Sequence, residues 1–416
     1  MPGRRQLLWL SVSIAAWAFV LVHLRGPWFT VFDDGDHWSH FSYALLFLDH
    51  GFGVYDRTAR DYCAGPWTPE VERFVAQGSC RPADVCVLPG HPSLRPLCVN
   101  WQQFPQPYPP GLLLYSLPEA LLYAHTGISF SSLCLVSLLK YLVAAHLLVW
   151  LLWRMLFAPP REDDLPGGAE WEPLNPWLRA GLFGLLYLAT IGWALDGFYD
   201  PLSVFFVFLG VWLLLRRRGL ASLLALSASL LLHYRALWYA PLFLLAARRA
   251  VANREWRDGW RAAAKLAVAA AFVALAAAGF LLIRPWLARF PQVNPIFYPK
   301  LGVRQPASWN LGVPLLIAFA YLAWGRCWTL LSVLSWQIFT ILQTPQTMTW
   351  HALFLLPNLA IARGERTRGA MAAAVVFHVA LALTAFNWDA SKALLGLPLP
   401  GLFLSNLVEH WGPIHG

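Results

Sequence analysis

Three carboxylates stand within four residues, at Asp33, Asp34 and Asp36, and His37 and Trp38 follow at once. Crowded carboxylates repel one another, which raises the pKa of at least one of them or recruits a cation. A partly desolvated carboxylate is a general base for a hydroxyl. Asp34 and Asp36 are also the oxygen donors that Mg²⁺ or Mn²⁺ would use. His37 and His40, one helical turn apart, would add to such a site. The sequence requires no cofactor beyond that option. A solvated acidic turn needs the same residues, with Asp36 capping the helix that follows.

Three further groups have side chains suited to chemistry. The run from Trp101 to Pro110, with Gln103 and Tyr108 in it, is too rich in Pro for a helix and favours extended geometry. Its rings, amides and hydroxyl suit stacking on a sugar; the bland alternative is a rigid connector. Asp196 and Asp200 flank a short turn, where Asp200 can cap the next helix. His233 and Arg235 lie at the end of another apolar run. A basic group there needs a partner, such as Asp196, Asp200 or a lipid phosphate, which Arg grips with a bidentate fork. Lys300 and Arg304 lie in a Pro-rich and aromatic loop over 284–310. Lys140 falls inside an apolar run, where an ionisable group needs a carboxylate or a cavity.

The elements that must hold these groups are apolar helices. The chain has 416 residues, of which 58% are hydrophobic and 13% charged, about half the charge of a soluble domain. Its mean hydropathy is +0.50. This composition excludes a disordered chain, a coiled coil and an ordinary cytosolic enzyme. The expected fold is all-α and polytopic, one membrane domain over 1–416 with about eleven spans. The first covers Leu7 to Leu24, uncleaved and entering from the cytoplasm behind Arg4 and Arg5. The others fall near 131–153, 176–195, 198–215, 219–233, 236–247, 264–283, 311–325, 327–343, 350–362 and 369–386. Arg216 to Arg218, the cluster from Arg248 to Arg261, and Arg363 to Arg368 then lie inside, as the positive-inside rule asks.

Residues 25–130 form a long outer loop. Trp38, Phe41, Leu45 and Leu48 recur at helical spacing, which predicts an amphipathic helix lying in the interface plane. A second interfacial segment runs from Gly111 to Tyr123, broken at Pro118. The insert 63–98 carries Cys63, Cys80, Cys86 and Cys98, whose disulfides would need an oxidising compartment. Four cysteines allow three pairings, and the sequence does not choose among them. The net charge of 31 − 22 = +9 follows from membrane topology, and no basic and aromatic stripe points to nucleic acid. No Walker loop, GxGxxG, GxSxG or HExxH occurs.

The stretch Asp33-Asp34-Gly35-Asp36-His37-Trp38 through Gly51-Phe52-Gly53-Val54-Tyr55 resembles the first outer loop of the GT-C superfamily. These are polytopic glycosyltransferases that use polyprenyl-phosphate sugars. Tyr108-Pro109-Pro110-Gly111 resembles the run before that family's next interfacial helix. Gly197 to Leu245 resembles the paired spans of its mannosyltransferase-like branch. The resemblance covers about the first 250 residues. It departs at His233-Tyr234-Arg235, where many relatives have Lys, and in the cysteine insert.

The resemblance implies an inverting transfer of a hexose, mannose first, outside the cytoplasm. Asp34 or Asp36, with Asp33 beside them, would act as base. Arg235, helped by His233 or Arg304, would hold the lipid phosphate, and the sugar would rest on Trp101 to Tyr108. Partners would be the lipid-linked donor, the bilayer, and a glycan, lipid or protein acceptor. Arg used over Lys suggests a GC-rich genome, hence a bacterial inner membrane with the site facing the periplasm or exterior; the endoplasmic reticulum membrane, with the same topology, is the alternative. The competing readings are a multi-span transporter or lipid flippase, and a scaffold whose cysteine loop binds a partner.

Overall fold

The computed structural model describes residues 4–25, 36–63, 106, 108–157, 175–195 and 200–289, with isolated positions at 69, 72, 85–87, 97–99, 353–354, 357 and 372. The described chain is mostly helical. In chain order it has α1 (Arg4–Arg25), α2 (Asp36–His50), a 3₁₀ turn (Gly51–Tyr55) and the short α3 (Ala59–Tyr62). Strands β1 (Val85–Cys86) and β2 (Leu97–Cys98) pair antiparallel, Val85 opposite Cys98. Then come α4 (Pro110–Thr126), α5 (Phe130–Phe157), α6 (Pro176–Leu195), α7 (Asp200–Leu215) and α8 (Gly219–Leu232). A 3₁₀ stretch (Tyr234–Tyr239) leads into α9 (Ala240–Ala252), and α10 (Trp260–Arg289) closes the series.

Two of these helices are long and apolar enough to cross a membrane: Ser132–Phe157 in α5 and Trp260–Ile283 in α10. Much of α10 is exposed, including Leu266, Val273, Leu275 and Leu281. So are Leu8, Trp9 and Phe19 on α1. Apolar surface on that scale supports association with a membrane. α7 and α8 are apolar but shorter than a span needs, at 16 and 14 residues. The segment expected to span 236–247 is instead the 3₁₀ stretch followed by the 13-residue α9. The expected spans 311–325 and 327–343 lie outside the described residues, as do 350–362 and 369–386 except for the isolated positions there.

α7 and α8 pack as an antiparallel pair held by small polar groups. Ser203 Oγ and Ser229 Oγ are 2.9 Å apart, and Ser222 donates to the Gly210 carbonyl at 2.8 Å. Such contacts hold helices where water offers no hydrophobic drive. Glu255 closes the N-terminus of α8 by accepting from the Gly219 and Leu220 amides at 2.5 and 3.0 Å. Its negative charge there also complements the helix dipole. At the opposite end α4 wedges against α8 and α10. A Cβ on Gly111 would collide with the Leu231 carbonyl, and one on Gly279 would meet Pro110 Cδ at 2.7 Å.

Two expectations about the outer loop need correction. α2 is not an amphipathic surface helix, because every residue from His37 to Leu46 is buried. It inserts among the other helices, chiefly along α4, and only its end from Leu48 to His50 is exposed. Nor does Pro118 break α4, which runs unbroken from Pro110 to Thr126. Pro removes one amide and frees the carbonyl four residues back. Here both Pro118 and Leu114 lie on the exposed side of the helix. Pro at its start and Gly127 in the left-handed region (φ 58°) at its end fix its limits.

Candidate functional site

The polar residues buried in α2 define the site. His37 Nδ1 lies 2.9 Å from the Tyr141 hydroxyl on α5. His40, one turn on, sets its ring 5.0 Å from that of Tyr108. Tyr108 in turn meets His233, at the end of α8, with ring centres 5.7 Å apart. His233 Nε2 lies 3.7 Å from Asp200 Oδ1, the first residue of α7, and both side chains are almost fully buried. The Phe354 ring also meets His233 edge-on, with ring centres 5.9 Å apart, so a residue far along the chain joins the wall. Tyr55 donates to the Tyr108 carbonyl at 3.1 Å and anchors the extended segment below.

A charge pair borders this row. Lys140 on α5 donates to Glu119 Oε2 on α4 at 2.5 Å. Its ammonium also sits 4.3 Å from the Tyr115 ring centre and 4.8 Å from that of Tyr141. The partner that Lys140 required is therefore Glu119 with two aromatic faces, through cation–π contact. Tyr141 links the pair to His37. Burial, then the Lys140 charge, then His40 hold the His37 imidazole well below its ordinary pKa. Burial first and Lys140 second hold His40 down to about 3. Both rings are neutral at pH 7 and serve as one-donor, one-acceptor groups.

Five of the residues singled out in the sequence thus meet in one row: His37, His40, Tyr108, Asp200 and His233. Asp200 opens α7, and its carboxyl group lies beside His233. Asp33, Asp34, Trp101, Gln103, Asp196, Lys300 and Arg304 lie outside the described residues. For Asp36 and Arg235 only the backbone is described. Asp36 opens α2 and Arg235 follows His233 by two residues, so both backbones adjoin the row. The donors that Mg²⁺ or Mn²⁺ would use, Asp34 and Asp36, are outside the described side chains. Among the described residues no group of three or more His, Cys, Asp or Glu side chains is arranged to hold a metal ion.

Of the cysteines, Cys63 and Cys86 form a disulfide that ties α3 to β1. Cys80 and the Cys98 side chain lie outside the described residues. Cys134 is a buried thiol outside any disulfide.

One residue that sequence reasoning passed over is Gln106. It is fully buried, and neither polar atom of its side chain has a hydrogen-bond partner among the described residues. Its backbone amide donates to the Val54 carbonyl at 3.4 Å. An unsatisfied buried amide costs about 1–3 kcal/mol. Gln106→Met is therefore expected to raise the stability of the ligand-free protein by about 1 kcal/mol. Thermal unfolding in detergent tests this, and a clear loss of stability would show that the amide is satisfied.

No protein-family model, no curated protein and no solved structure matches the chain.

Proposed function

We propose that this chain is a polytopic membrane glycosyltransferase of the GT-C type. It moves a hexose, mannose in first place, from a polyprenyl-phosphate donor to a hydroxyl of an extracytoplasmic acceptor, with inversion. The observation that supports this best is the buried row His37–His40–Tyr108–His233–Asp200, beside the backbone of Asp36 and Arg235. A buried row of imidazoles, a phenol and a carboxyl group suits the handling of hydroxyls and an anionic leaving group.

Asp34 or Asp36 takes the proton of the acceptor hydroxyl as that oxygen bonds to the anomeric carbon. The bond from that carbon to the phosphate oxygen breaks, and its electron pair leaves with the phosphate. Arg235, with His233 or Arg304, receives the developing charge. The roles left to Trp101, Gln103, Tyr108 and Asp196 are contacts to the sugar, and those of Lys300 and Arg304 are further substrate contacts.

The topology agrees with this placement. The Asn253 amide donates to the Arg217 carbonyl at 2.5 Å, which gathers the arginines at 216–218 and 248–261 at one end of α7–α10. The Asp200–His233 row occupies the other end, about 24 Å away along the 16-residue α7. With about eleven spans and a cytoplasmic N-terminus, the arginines face inward and the site faces the periplasm or exterior of a bacterial inner membrane.

The test is transfer from radiolabelled polyprenyl-phosphate-mannose by the purified protein, with and without EDTA. Asp34→Asn or Asp36→Asn is expected to lower turnover by about a hundredfold or more, the share of a general base. Normal turnover by both variants would overturn the assignment. The buried Lys140–Glu119 pair favours a second reading, a transporter or flippase, since such pairs mark substrate paths. Solute uptake into proteoliposomes without sugar transfer would establish it.

A further inference from the structure

Well away from the row, α1, α5 and α6 enclose a slot of about 480 Å³. That volume is in the range of ligand sites. Its walls include Trp9, Leu10, Val149, Trp153 and Phe183. The polar groups at its floor account for one another completely. His146 Nδ1 is 2.7 Å from the Leu142 carbonyl, so it is the protonated nitrogen and donates. Ser13 must then donate to His146 Nε2 at 2.8 Å. Tyr187 donates to Ser13 Oγ at 2.8 Å, and Trp17 Nε1 donates to the Tyr187 oxygen at 2.6 Å. Trp150 Nε1 donates to Gln6 Oε1 at the mouth, at 3.4 Å. These groups leave no floor donor for a ligand, so the slot presents carbon.

Two arginines lie just beyond its lining. Arg154 stands one helical turn past Trp150 on α5, and Arg179 one turn before Phe183 on α6. Arg154 Nε is buried with no hydrogen-bond partner among the described residues. The Arg179 guanidinium lies over the Phe157 ring at 5.7 Å. Hydrocarbon walls under two arginines match a fatty chain bearing a phosphate. Along α5 the slot begins at His146, about 7.5 Å from Tyr141 and toward the arginine-rich end, and none of its lining residues belongs to the His37 row.

We infer that this slot binds an anionic phospholipid, one acyl chain against the aromatic walls and the phosphate on Arg154 and Arg179. The inference needs the chain to sit in a membrane, not the sugar-transfer reading. The test is lipid binding to the full-length protein in detergent, by native mass spectrometry. The three arms are dioleoyl-phosphatidylglycerol, dioleoyl-phosphatidylcholine and undecaprenyl phosphate. Phosphatidylglycerol is expected to bind more tightly than phosphatidylcholine, by roughly fivefold per arginine. Leu10→Trp, which fills the slot, should abolish binding, while Arg154→Gln should lower only the preference for the anionic lipid. Helix content by circular dichroism shows that both variants fold. Equal binding of the two phospholipids, or unchanged binding by Leu10→Trp, would overturn the site. Preference for undecaprenyl phosphate would overturn the phospholipid assignment and give the slot to a polyprenyl carrier.

Discussion

Lys140→Met is expected to destabilise the protein by about 3–5 kcal/mol, the cost of removing one partner from a buried ion pair. Glu119 is 1% exposed and Lys140 14%, so water replaces little of what the substitution removes. Glu119 Oε1 already has no hydrogen-bond partner among the described residues. Without the ammonium its other oxygen loses its partner too, and a carboxylate stays inside with nothing to compensate it. Two further losses follow, because the ammonium lies on the Tyr115 and Tyr141 rings. Tyr141 then holds His37 less firmly through its hydroxyl. The double variant Lys140→Met/Glu119→Leu removes both charges and should recover most of the loss, since apolar replacement of a buried pair is often neutral or stabilising. Denaturant unfolding of the four proteins in one detergent gives the cycle. Additive losses in the double variant would mean that the two side chains do not act as a pair.

That pair shows what the sequence leaves open. Lys140 stood out as a charge in an apolar run, and its need for a partner followed from the cost of burial. Which of the 22 acidic residues served it did not follow. Glu119 sits 21 positions away on another helix, and only the packing of α4 on α5 joins them. The same applies to Ser13, His146 and Tyr187, which look like minor interruptions of three separate apolar runs. The cysteines behave alike: three pairings fit the sequence, and Cys63 meets Cys86 because β1 returns under α3.

Helix positions were easier to read. Apolar runs expected at 198–215 and 219–233 are helices at Asp200–Leu215 and Gly219–Leu232. An uninterrupted apolar run bounded by Asp, Gly or Arg leaves the backbone little else to do than pair internally. The interior of α2 misled, because Trp38, Phe41 and Leu45 suggested one buried face. In the fold the polar face is buried too, with His37, Ser39, His40 and Ser42 all inside. Burying four polar residues on a 15-residue helix is poor design for stability alone, which is why that helix carries the candidate site.

The same burial gives the second large effect, a loss of stability on acidification. In an unfolded chain His37 and His40 titrate near 6.5. In the fold both are held lower, by burial first and by Lys140 next. The groups facing them are Lys140 and Tyr141 on α5 and Tyr108 on the extended segment, with the His233–Asp200 pair beyond. Below pH 6.5 the unfolded chain therefore binds protons that the folded chain refuses. Stability is full above that pH and declines as pH falls, at about 1.4 kcal/mol per unit for each histidine. For His40 the decline continues to about pH 3, where the folded ring begins to take its proton. His40→Gln removes one of the two protons from this linkage. Unfolding midpoints measured at pH 7, 6 and 5 should fall less steeply in that variant than in the natural protein. Parallel curves would show that His40 takes its proton in the fold as readily as in the unfolded chain, and the row would then present a cation rather than a neutral base below about pH 6.5.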